Sequence, residues 1–273
     1  MVATSYRPGV VLRSTPPPPG VCADFGVLDR PVSLAGGQGG SWRVGRLVLK
    51  RVGTDPVVAE ELRWLGTAVS SDAAVRVAAP VPATDGSWVV GGWAATPFLE
   101  GEPAGWRWAE ALDAGRALHR AWARLPRPSF LDRRRSPWDT GDRMAWGDEP
   151  LVVAGDGRRT LVERLAAALE GPVVEPFQLV HGDLGGNVLL ADGLPPAVID
   201  LSPYWRPPGW ALAVVAVDAL VWSDADPDDG AFAALDRQML LRAMLYRLVT
   251  DDVLGRDTSS VNGPVVDRLL LAR

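Results

Sequence analysis

The chain has 273 residues, 47% of them apolar, and a formal net charge of −5. That is long enough to bury a real core, and with no basic run interleaved with aromatics it does not suggest a nucleic-acid partner. Cys22 is the single cysteine, which excludes an intramolecular disulfide and makes thiol catalysis a poor expectation. The opening MVATSYRPGVVLRSTPPPPGV lacks the charged-then-apolar layout of a signal peptide. The most apolar run, Trp210 to Trp222, is too short to span a bilayer and contains Asp218. A cytoplasmic protein with no membrane association is expected.

Residues 1–20 are Pro-rich and aperiodic and read as an extended arm. Within residues 21–98, short runs of β character follow: Ser41 to Val52, Ala74 to Ala78 and Ser87 to Ala95, separated by Gly, Pro and Asp turns. One helix interrupts them, Asp55 to about Val69, with Val58, Leu62, Leu65 and Val69 at helical spacing. Glu61 falls on the flank of that apolar stripe and Glu60 points nearly opposite.

In residues 99–273 the pattern changes to long helices: Trp106 to Leu125, Arg158 to Leu169, Trp210 to Trp222, Gly230 to Thr250 and Pro264 to the end. Short strands at Gln178 to Val180, Asn187 to Leu190 and Ala197 to Leu201 interrupt them. The expected fold class is α+β in two lobes: a small antiparallel sheet with one helix, then a larger, mainly helical lobe.

Of the 28 basic residues only Lys50 is lysine. A compact ammonium suits a point charge on phosphate in a way that a planar guanidinium does not, so the exception reads as functional. Leu179 to Ser202 then places Asp183, Asn187 and Asp200 at the ends of short apolar strands, where their side chains can share a cleft. Phosphoryl transfer needs such a set: a carboxylate for the hydroxyl proton and oxygen ligands for magnesium. Taken singly, each has a blander reading as a surface or turn residue. His119 reads as a helix-face residue, the twelve tryptophans as packing, and Asp224, Asp226, Asp228 and Asp229 as a solvated loop.

HGDLGGNVLL (His181 to Leu190) followed by VIDLS (Val198 to Ser202) resembles the catalytic and metal-binding loops of the aminoglycoside phosphotransferase and choline kinase superfamily, within the wider protein-kinase-like fold. The resemblance covers about Leu34 to Trp222. It implies an ATP- and magnesium-dependent phosphotransferase acting on a hydroxyl of a small molecule. Asp183 would be the catalytic base, Asn187 and Asp200 the magnesium ligands, and Lys50 the phosphate-binding lysine. Glu61, with Glu60 as the alternative, would hold Lys50, and His181 would shape the loop. The nucleotide would lie between the lobes, its adenine near Phe98 and Leu99. Gly37, Gly39, Gly40 and Ser41 of LAGGQGGS would cover its phosphates. Asp218 resembles the helix aspartate that ties down the catalytic loop.

Protein kinases place four residues between the catalytic Asp and the Asn; this chain has Leu184, Gly185 and Gly186. That departure sustains a second reading, a nucleotide-binding pseudokinase or scaffold. A third is nucleotidyl transfer on the same scaffold.

Overall fold

The computed structural model describes residues 15–34, 40–223, 225–226 and 229–271. Alternation in SWRVGRLVLKR produces a hairpin, β2 (Ser41–Val44) with β3 (Leu47–Arg51), whose Val44, Leu47 and Leu49 face inward. β1 (Val32–Ser33) and β5 (Trp93–Pro97) flank it in an antiparallel sheet of order β1-β2-β3-β5. The expected arm is shorter than residues 1–20: Pro19–Asp24 forms α1, and Val21, Cys22 and Phe25 enter the core behind the sheet.

Asp55 caps α2 (Pro56–Ala68), its side chain accepting from the Val57 N–H at 2.8 Å, and Val69 ends it. Two expected strands differ. The stretch from Ser87 yields its strand late, because Val90 and Trp93 bond each other across Gly91-Gly92 and pairing begins only at Trp93. β4 (Arg76–Val77) does not join the N-terminal sheet; it pairs in parallel with β9 (Ala197–Val198). β8 (Val188–Leu190) and β6 (Glu102–Pro103) complete that second sheet, of order β4-β9-β8-β6. The sheet and the inner face of α2 share one core with the C-terminal half, since Leu65, Val69, Val75 and Val77 cluster with Leu112, Leu118, Leu184 and Val215. The core therefore crosses the expected lobe boundary at residues 98 and 99.

The remaining chain is mostly helical. α3 (Trp108–Trp122) leads to a 3-10 turn (Ser129–Asp132), α4 (Pro137–Trp146) and α5 (Asp156–Ala167). β7 (Gln178–His181) pairs antiparallel with β10 (Pro203–Arg206), and α6 (Pro208–Trp222), α7 (Arg237–Val253) and α8 (Ser259–Leu271) follow. α6, apolar all round except for Asp218, takes the central position that such a helix requires and packs between α3 and α7. Trp93, Trp122 and Trp210 are almost wholly buried, as expected of packing tryptophans. Among the described residues no helix is long and apolar enough to cross a membrane.

Candidate active site

The catalytic-loop segment is placed by backbone bonds before its side chains act. β7 ends at His181, and the Gly182 N–H donates to the Ser202 carbonyl at 2.9 Å, tying the loop to the start of β10. The short spacing from Asp183 to Asn187 closes as a β-turn. The Asn187 N–H donates to the Leu184 carbonyl at 3.0 Å, and Gly186 supplies the positive φ (81°) that the third position of a type II turn demands. Leu184 anchors the turn in the core, fully buried against Gly115, where any Cβ would meet it at 2.7 Å. Opposite, the Ile199 N–H donates to the Asn187 carbonyl at 3.0 Å, so Asn187 and Asp200 lie at the same end of β8 and β9.

Two buried histidines brace this segment. The Asp183 N–H donates to His181 Nδ1 at 3.1 Å, and His181 Nε2 lies 3.3 Å from the Ile199 carbonyl oxygen. The His181 N–H in turn donates to His119 Nε2 at 3.2 Å. Burial pushes the His119 imidazole down to about 3, with His181 adding to the shift, and burial also lowers His181. Both rings are neutral props at neutral pH.

Asp183 presents a half-exposed carboxylate whose oxygens are held separately. Asn187 Nδ2 donates to Oδ2 at 3.3 Å and to the Asp183 carbonyl at 2.7 Å, and Arg247 Nη2 reaches Oδ1 at 3.3 Å. Because Asn187 spends its amide nitrogen on Asp183, its amide oxygen is turned the other way. Asp200 is the one non-glycine with positive φ (49°) among the described residues, a conformation that costs a non-glycine roughly 1–2 kcal/mol. From there its Oδ2 meets Lys50 Nζ at 3.0 Å. With side chains 47% and 39% exposed, this pair contributes only about 0–1 kcal/mol and opens readily to a ligand.

The expected pairing of Lys50 with Glu61 is not what the structure contains. Glu61 does turn inward, but its ion-pair partner is Arg134, at 3.6 Å, and Glu60 pairs with Arg133 and accepts from Ser129 Oγ at 3.2 Å. The physical reason is competition for a buried guanidinium. Arg134 donates to Asp139 at 2.6 Å and to the Pro203 carbonyl at 2.8 Å, and lies over the Tyr204 ring, so its fork sits beside α2. Lys50 has meanwhile taken Asp200. Burial pushes the Glu61 carboxyl up to about 7 despite Arg134, with Asp139 reinforcing the rise. Arg134 serves the nearer carboxylate, Asp139, first.

Asp218 also differs from expectation, since its side chain is held by Arg247 on α7, Nε to Oδ1 at 2.7 Å with a second arm to Oδ2. Of the expected nucleotide-binding residues, Gly37 and Gly39 lie outside the described residues. Gly40 precedes β2, and at Ser41 the carbonyl accepts from the Leu34 N–H at 3.0 Å while the residue pairs with Lys50 across the hairpin. The Phe98 N–H donates to the Arg46 carbonyl at 2.8 Å, and its ring lies 3.8 Å beneath the Arg43 guanidinium. Leu99 follows it, partly buried, at the crossing between the two sheets. A cavity of about 420 Å³ lined by Asp142, Tyr204 and Arg206 shares no residue with the Asp183 group. Its Arg127, Arg143 and Arg206 are matched by Asp132, Glu149 and Asp142, which makes it a polar seam of the fold.

Residues 34–243 match the family described as the phosphotransferase enzyme family, a span that takes in every residue of the group except Arg247. The chain belongs to this family. No curated protein matches the chain. Solved structures of the phosphotransferase fold agree with it. A thermostable mutant of aminoglycoside phosphotransferase APH(4)-Ia, in a ternary complex with AMP-PNP and hygromycin B, is 18% identical with a TM-score of 0.58, covering 92% of this chain and 96% of that one. Spectinomycin phosphotransferase APH(9)-Ia, in complex with ADP and spectinomycin, is 14% identical with a TM-score of 0.52, covering 92% and 95%. A fructosamine-3-kinase assignment from Thermobifida fusca YX-ER1 is 21% identical with a TM-score of 0.53, covering 96% and 99%.

Two residues in and beside the candidate site escaped the sequence reading. Arg247 sits in a helix with no motif, and one arginine among 27 carries no signal of its own. Arg134 lies in the run Arg133-Arg134-Arg135, and the local signal that could have drawn attention to the segment is the capping box just after it, Ser136 with Asp139.

Proposed function

We propose that this phosphotransferase-family chain transfers the γ-phosphoryl group of ATP, with magnesium, to a hydroxyl of a small molecule. The observation that carries the reading is Asp183: a half-exposed carboxylate with each oxygen held by a different donor, beside an Asn187 whose amide oxygen takes no hydrogen bond, and an Asp200 paired only with an exposed lysine, among the described residues.

One carboxylate and one amide oxygen suit magnesium, which commonly takes one or two protein carboxylates and completes its shell from phosphates and water. Asp200 and Asn187 would hold it, and magnesium supplies charge neutralisation at the phosphate oxygens when bound. Lys50 lies close enough to Asp200 to exchange that partner for a phosphate oxygen as a point charge. Asp183 accepts the proton of the acceptor hydroxyl as the new O–P bond forms and the bond to the ADP oxygen breaks. Catalysis of this kind is positioning and electrostatics. The two liganded structures, solved with ADP and spectinomycin or with AMP-PNP and hygromycin B, favour a small-molecule acceptor.

Calorimetric titration of ATP with and without magnesium, into the wild type and Asp200→Ala, tests this. Magnesium-dependent binding that Asp200→Ala loses supports the site; no binding by the wild type in either condition would sink it. Glu61 held by Arg134 and away from Lys50 favours the second reading, a nucleotide-binding protein impaired in transfer. That reading requires magnesium-dependent binding with no phosphorylated product across a panel of hydroxyl acceptors.

A further inference from the structure

We infer that Arg247 is a positioning residue for phosphoryl transfer: locked by Asp218, its guanidinium reaches up from α7 and fixes the orientation of the Asp183 carboxylate. The inference rests on the phosphotransferase reading and extends it to a residue beyond the span that matches the family, 34–243.

The geometry has three parts. Arg247 and Asp218 form a two-armed pair, Nε to Oδ1 at 2.7 Å and Nη2 to Oδ2, and such a pair fixes the plane of the guanidinium. The same Nη2 then lies 3.3 Å from Asp183 Oδ1, while Asn187 holds Oδ2 at 3.3 Å. Clamped at both oxygens, the carboxylate still has room for an acceptor, its side chain remaining 49% exposed.

The loop itself cannot provide this clamp. Leu184 is buried, and Gly185 and Gly186 have no side chain, so between Asp183 and Asn187 there is no side-chain donor. Gly185 backs onto Asp218, where a Cβ would lie 3.5 Å from Oδ2. The pair therefore sits directly beneath the turn.

Energetics point the same way. Arg247 and Asp218 are only 15% and 18% exposed. Burying two charges is expensive, and apolar side chains of similar volume are often as stabilising, so stability alone does not account for an ion pair here. What the pair uniquely provides is a donor of fixed direction under the carboxylate that takes the proton.

The test compares wild type with Arg247→Ala, Arg247→Lys and Arg247→Gln in thermal melting, magnesium-ATP calorimetry and ATP turnover, with water and with added hydroxyl acceptors. Arg247→Ala is expected to keep its magnesium-ATP affinity within about threefold while turnover falls about 100-fold, the scale of a misplaced catalytic group. Arg247→Lys should lie between the two, and millimolar guanidinium should restore part of the Arg247→Ala loss. Should Arg247→Ala fail to fold, Arg247→Lys and Arg247→Gln carry the same comparison. Unchanged turnover, or a loss that tracks lost nucleotide affinity and resists guanidinium, would overturn the role. A wild type that binds magnesium-ATP but turns none over overturns it while leaving nucleotide binding intact. A wild type that binds no nucleotide overturns the phosphotransferase reading itself, and calorimetry separates that case from the others.

Discussion

Around Asp183 the contacts that shape the loop run over short stretches of chain: Asn187 reaches back four residues to Asp183, and His181 receives the N–H two residues ahead, while Arg247 reaches in from 64 residues away. Around α2 the opposite holds. Glu60 meets Arg133 across 73 residues, Glu61 meets Arg134, and Trp64 packs edge-on to Phe130 at 6.0 Å, so the segment Ser129 to Arg134 clasps the helix from outside the sheet. The first region is built on a motif whose spacing sets the loop, with Arg247 added to it by the fold. The second is a set of arginines whose partners only the fold chooses. The lesson is that the chemistry of the site and the posture of the helix beside it are specified independently, so they can be broken independently.

The largest expected effect falls on the first region. Asp183→Asn keeps the shape and the Asn187 contact but removes the base, so turnover should fall by about 10²–10⁴-fold while magnesium-ATP affinity changes little. Parallel calorimetry and product formation read both quantities. Equal loss of the two would mean that Asp183 serves binding and has no base role.

The second region predicts loss of stability instead. Arg134→Met leaves Asp139 buried without its guanidinium and the Pro203 carbonyl without a donor. Removing one partner of a buried pair typically costs about 3–5 kcal/mol. Urea titration should show the midpoint fall with little change in slope. A variant as stable as the wild type would show that the clasp does not hold α2.

This contrast also explains what was legible in the sequence. Asp55 as cap and Val69 as terminus of α2 were readable because both signals are local. So were the positions of Asp183, Asn187 and Asp200, since strand ends and turns set their spacing. The partner of Glu61 was not. Helical phase gave its direction, inward, but the choice between Lys50 and Arg134 depends on chain far away in sequence, and nothing local ranks a lone lysine against a run of arginines. β10 was missed because its sequence, Pro-Tyr-Trp-Arg, opens on proline and does not alternate; it is a strand because β7 pairs with it. Pairing likewise decided β4, which is too short to declare which sheet it joins.

A finer cut uses the titration of Glu61. Its carboxyl, raised by burial from its ordinary value of 4.5 to about 7, binds its proton more tightly in the folded chain than in the unfolded one. Stability should therefore be highest at acid pH with respect to this group, decline as pH rises from about 4.5 to about 7, and level off above. A shift of that size corresponds to about 3 kcal/mol. Glu61→Gln should flatten this part of the profile, matching the wild type near pH 5 and exceeding its stability near pH 8. An unchanged slope in the variant would assign the decline elsewhere and would mean that Arg134 keeps Glu61 ionised.

The smallest effect tests where the two regions touch. Gly182 precedes Asp183, and a Cβ there would run into the Tyr204 ring and approach Trp210 at 3.3 Å. Tyr204 lies under the Arg134 guanidinium, 5.0 Å from its centre, and is wedged edge-on against Trp210 and Tyr246, so it cannot swing aside without disturbing the clasp. Gly182→Ala should cost about 1–3 kcal/mol as an overpacked site. Where that strain is absorbed is the informative part. If the backbone yields, Asp183 moves and turnover falls well beyond the loss of stability. If the ring yields, turnover is spared and the pH profile of Glu61 shifts instead, because Arg134 moves with Tyr204. Measuring both in the one variant shows whether the loop or the clasp is the stiffer half of the site.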